Sequence, residues 1–150
     1  MRKRLIVALI LSVIVLAVGT VGCNNKPSSN EGTSELLGVS MYVEKSHYPS
    51  NISEINVVWK NDTDKDLTFG NPFTIQKLVG KEWKTIGNGA NFTTIGYRVA
   101  PHSEMKHSYN IRLYSEMLEK GTYRIVTDFL NVLSPGNYNT YQLTANFTVE

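Results

Sequence analysis

The chain has 150 residues, 41% of them apolar, with 15 Lys and Arg, 13 Asp and Glu and a single cysteine. One cysteine excludes an internal disulfide, so the fold must rest on its apolar core. Without residues 1–22, which hold Arg2, Lys3 and Arg4, 12 basic residues face 13 acidic ones, so the formal charge passes from +2 to −1 and the remainder carries no basic cluster for nucleic acid.

Residues 1–22, "MRKRLIVALILSVIVLAVGTVG", open on three basic residues and continue as an uncharged run from Leu5 to Gly22. This is the pattern of a secretory signal. The run also approaches the ~20 residues of a membrane span. Under both readings the basic flank stays in the cytoplasm and the body of the chain lies outside it. Cys23 follows, and then "NNKPSSNEGTSE", residues 24–35, whose polar composition predicts a flexible spacer. A catalytic thiol needs a partnered base and a pocket. Neither belongs between a greasy segment and a tether.

"Thr20-Val21-Gly22-Cys23" resembles the lipobox of bacterial lipoproteins, with Thr20 in place of the usual Leu. The resemblance implies cleavage between Gly22 and Cys23 and a diacylglycerol on the Cys23 sulfur. Two acyl chains make a stable anchor where one does not. The chain then divides into a signal over 1–22, a lipidated cysteine and linker over 23–35, and a folded domain over 36–150.

From Leu36 onward, apolar and polar residues alternate. "GVSMYVE" places Val39, Met41 and Val43 on one face, and "EINVVWKN" does so for Ile55, Val57 and Trp59. "PFTIQKLV" and "EWKTI" flank a hairpin turn at Gly80-Lys81. "EMKHSYNIRL", residues 104–113, aligns Met105, His107, Tyr109, Ile111 and Leu113. "YSEMLEKG", 114–121, is the one stretch with helical spacing. "TYRIVTDF" and "YQLTANFTV" complete the set, the latter turning Tyr141, Leu143, Ala145, Phe147 and Val149 inward. Turn residues fall between these runs, at Pro49-Ser50-Asn51, Asn61 to Asp64, Gly87-Asn88-Gly89, Pro101-His102 and Pro135-Gly136. Seven or eight short strands without interleaved helices predict an all-β antiparallel sandwich.

In "LEKGTYRI", a Gly stands two residues before a Tyr at the start of a late strand. Leu118, Gly121 and Tyr123 resemble the tyrosine corner of immunoglobulin-like sandwiches, where the Tyr hydroxyl bonds to backbone just upstream. More widely, "INVVWKNDTDKDLTFGNPFTIQKLVGKEWKTI", "IGYRVAPHSEMKHSYNIRL" and "LEKGTYRIV" resemble a family of immunoglobulin-like domains common in exported proteins of Firmicutes. Bacterial proteinase inhibitors of the intracellular type are distantly similar. The resemblance implies an immunoglobulin-like sandwich over about residues 39–149 and no shared catalytic motif.

Catalytic and metal signatures are sparse. No Gly-x-Ser-x-Gly, phosphate-binding Gly loop or paired-Cys zinc spacing occurs. His102, Met105 and His107, with Met41 or Met117, have the donor chemistry of a Cu(I) carrier. Packing and turn roles are expected of them instead, with no metal or cofactor. "Asn61-Asp-Thr-Asp64-Lys-Asp66" lacks the Gly and downstream Glu of a calcium loop. Phe92, Tyr97, Tyr138 and Tyr141 lie in or near Asn- and Gly-rich loops. Tyr beside Asn, Ser and Gly is the composition of binding loops, although packing back onto the core is the expected fate of these rings. The expected function is a non-enzymatic, lipid-anchored binding module facing an unknown protein or glycan. Two alternatives are an inhibitor of an exported peptidase, acting through the 87–96 loop, and a copper carrier.

Overall fold

A computed structural model describes residues 31–34, 38–87 and 90–150. Ten strands form two sheets: β1 (Glu31–Ser34), β2 (Val39–Val43), β3 (His47–Tyr48), β4 (Glu54–Asn61), β5 (Leu67–Val79), β6 (Glu82–Thr85), β7 (Gly96–Val99), β8 (Ser103–Asn110), β9 (Gly121–Ser134) and β10 (Asn137–Val149). One sheet runs β1-β2-β4-β8. The other runs β3-β10-β9-β5-β6, with β7 also paired to β5. Every pairing is antiparallel except the two-residue contact of β3 with β10. The expected all-β immunoglobulin-like sandwich is therefore the observed fold.

The alternation read from the sequence is the alternation of burial. Val39, Met41 and Val43 on β2, Ile55, Val57 and Trp59 on β4, and Leu143, Ala145, Phe147 and Val149 on β10 are all buried. Between the sheets the aromatic rings form a continuous chain. Tyr141 stacks on Phe129, whose edge meets Trp59, and Trp59 stacks on Phe69 at 4.2 Å. The chain continues through Tyr97, His107, Tyr109 and Phe73 to Phe92 and Tyr114. Such pairs add to the burial of the ring areas themselves.

Three features depart from the expectation. β1 lies within the stretch read as spacer and pairs with β2, Ser34 opposite Val39 and Glu31 opposite Tyr42. The helical turn falls at Ile111–Leu113, not at 114–121, because the Asn110 side chain accepts the Arg112 N–H and bends the chain out of the strand. Ile111 still points into the core, whereas Leu113 is exposed. β5 is longer than the run read from sequence. Its register with β9 shifts between Phe69 and Phe73, a bulge at Gly70 to Pro72 that separates the part paired with β7 from the part paired with β6.

Candidate functional site

Gly22 and Cys23, the expected cleavage and lipidation residues, lie outside the described residues. The corner residues lie where β9 begins. Leu118 is buried, and its N–H donates to the Ser50 carbonyl at 2.9 Å. Gly121 has φ +153°, and a Cβ there would meet Lys77 Cε at 3.0 Å, so the position favours glycine. The buried Tyr123 donates its hydroxyl hydrogen to the Glu119 carbonyl at 2.7 Å while its ring stacks on Phe147. Lys77 bridges the same corner, with its ammonium 2.5 Å from Glu119 and above the Tyr123 ring. That contact raises the Lys77 pKa and lowers that of Glu119. Tyr123→Phe keeps the ring and loses one hydrogen bond. The expected cost is about 1 kcal/mol, read as a lower urea midpoint with an unchanged slope.

At the other end of the sandwich a buried asparagine ties two turns together. Asn61 is fully buried at the end of β4. Its amide nitrogen lies 2.8 Å from the Lys65 carbonyl, 3.1 Å from that of Val99 and 3.0 Å from that of Ala100. Its oxygen accepts the Thr63 N–H and hydroxyl at 3.0 and 2.7 Å. The β4–β5 turn and the β7–β8 turn are thereby fixed to each other. Beyond them the β9–β10 hairpin outruns β5, whose pairing ends at Asn131, and exposes Val132, Leu133 and Tyr138.

Clefts of about 240 to 460 Å³ open on the surface, and two of them lie where turn or loop residues converge. The larger, of about 460 Å³, lies at this same end, among Val39, Asp62 to Lys65, Phe129 and Asn131. Its carboxylates are engaged: Asp62 meets Lys60 and Asp64 meets His102, both at 2.8 Å. The smaller, of about 240 Å³, lies on the flank between the 91–93 segment, the bulge of β5 and the end of β8. Phe92 roofs it by packing on Phe73, and Asn71 donates to the Thr93 hydroxyl at 2.8 Å. His107 lines it with its pKa held below the usual value by burial, which leaves a neutral imidazole at pH 7.

The sequence profile of the bacterial Ig-like domain matches residues 35–148. The chain belongs to the bacterial Ig-like domain family. No curated protein matches it significantly. Among the described residues of this Ig-like domain, no helix is long and apolar enough to cross a membrane.

The candidate copper donors take other places in the domain. Met41 and Met105 face opposite sides of Trp59 across β2, β4 and β8, two strand spacings apart or about 10 Å. His102 lies at the β7–β8 turn with φ 50° and binds Asp64. His107 packs among Phe69, Tyr97 and Tyr109 rings, and Met117 is exposed. Of the loop aromatics, Phe92, Tyr97 and Tyr141 pack against the core and Tyr138 alone stays exposed. Ile86 and Phe92 also pack against the core, while Asn91, Thr93, Thr94 and Ile95, on either side of Phe92 and ahead of β7, are exposed. No catalytic or metal-ligand motif marks Asn71, Asn91 or Asn110 as a site residue, and Asn61 stands out in the sequence as a turn residue. The Asn-rich run around Phe92 was the one signal pointing to the flank cleft.

Proposed function

We infer that this Ig-like domain is a non-catalytic, extracytoplasmic binding module of a bacterial lipoprotein, held to the membrane by lipid on Cys23. The observation that carries the reading is the direction in which β1 runs. Glu31 is its residue farthest from the end that bears the Asn61 turns and the exposed 132–138 hairpin. Eight residue steps separate Cys23 from Glu31, a reach of at most about 28 Å. A domain tethered so closely would present that loop end away from the membrane, towards a partner. The lipobox-like "TVGC" and the family support an exported setting.

Cys23→Ser tests the anchor. The variant should escape lipid attachment and keep its residues 1–22, so that its mass shows an uncleaved chain without the diacylglycerol and any hold on the membrane passes to the uncleaved apolar segment. A variant processed and membrane-bound like the parent overturns the reading.

A further inference from the structure

The flank cleft has an unusual chemical makeup for a surface so rich in charge. It is lined by carboxamides, hydroxyls, an imidazole and aromatic rings, with no Lys, Arg, Asp or Glu among its lining residues. The groups come from three separate parts of the chain: Asn71 from the β5 bulge, Asn91 and Thr93 from the following loop, His107 and Asn110 from β8. The Asn71–Thr93 hydrogen bond joins the first two, and the packing of Phe92 on Phe73 sets the loop against the sheet.

Each carboxamide both donates and accepts, and so does a neutral imidazole or a hydroxyl. That makes a lining suited to a ligand whose own groups do both at once, as sugar hydroxyls do. Phe92, the lining aromatic that is not buried, offers a face of negative quadrupole to polarised C–H groups, which a pyranose ring presents on its apolar side. A phosphate or carboxylate would find no cation in the lining, and an ammonium would find no carboxylate. The volume, about 240 Å³, falls below the usual range for drug-sized ligands and suits a single ring.

We propose that this cleft binds one uncharged pyranose ring, free or at the end of a surface glycan. The inference rests on the reading of the chain as a binding module and names the ligand class.

The test uses the full chain, dissolved in a detergent without a sugar headgroup. Calorimetric titration with the methyl glycosides of neutral hexoses and of N-acetylhexosamines should give a dissociation constant of about 1 mM for at least one. Uronic acids and free hexosamines should bind at least about tenfold more weakly. Asn91 is exposed, so Asn91→Ala should keep the near-ultraviolet spectrum of the parent and lose about tenfold in affinity. Lys45→Ala, on the exposed β2–β3 turn away from the cleft, should change nothing. A short oligosaccharide that binds tighter than its terminal ring assigns the site to a glycan, and equal affinity assigns it to the free sugar. The proposal is overturned if no neutral ring binds at about 10 mM, if charged sugars bind as well, or if Asn91→Ala leaves affinity intact. Capture of a cell-surface partner together with no binding of any neutral ring would sink the sugar site and leave the binding-module reading standing.

Discussion

Asn61→Ala should destabilise the domain by at least about 3 kcal/mol, a large fraction of the ~5–15 kcal/mol that holds a domain folded. The substitution strips the partner from the buried Val99 carbonyl and from the Thr63 N–H. Asn61→Asp should be no milder. It keeps an acceptor for Thr63 but sets a carboxylate against the carbonyl oxygens of Lys65, Val99 and Ala100 in a buried site. Urea unfolding measures both. A loss under about 1 kcal/mol for either would mean that the turns hold themselves together without the asparagine.

Trp59→Ala should cost about 3–5 kcal/mol, the range for emptying a buried aromatic site. Trp59→Phe should cost less than about 1.5 kcal/mol. A phenyl ring can keep the stacking on Phe69 and removes an indole N–H that finds no hydrogen-bond partner among the described residues. The Tyr109 hydroxyl shares that predicament, and burial pushes its pKa up to about 12. Thermal unfolding of both variants decides the matter. A phenylalanine as damaging as an alanine would show the indole nitrogen to be an essential part of the core.

Strands β2, β4, β8 and β10 were legible because each has one face on the core and one in solvent, so period-2 alternation was written into them. The register of β3 on β10 was not, since two residues pair with two others 101 positions later and leave no local trace. At Ile111 the alternation continued while the backbone did not, because an asparagine side chain competed for the chain's own hydrogen bonds. Val132 and Leu133 are apolar yet exposed, because they lie where β9 has run past its partner β5. Asn61 belonged to a visible turn pattern. Its burial depends on Val99 and Ala100, almost forty residues away, which no spacing rule reports. The flank cleft was hidden for the same reason, as its lining is assembled from three distant segments.

The short contact between β3 and β10 has a colloidal consequence. β3 takes up only Thr148 and Val149, so along residues 137–147 the side of β10 away from β9 meets no paired strand among the described residues. "NYNTYQLTANFTV" holds no charged residue and no proline to discourage a second strand from adding there. Crowded molecules of this domain would tend to meet edge to edge along its exposed residues 137–140. A lysine in place of the exposed Asn139 would keep them apart without disturbing the interior.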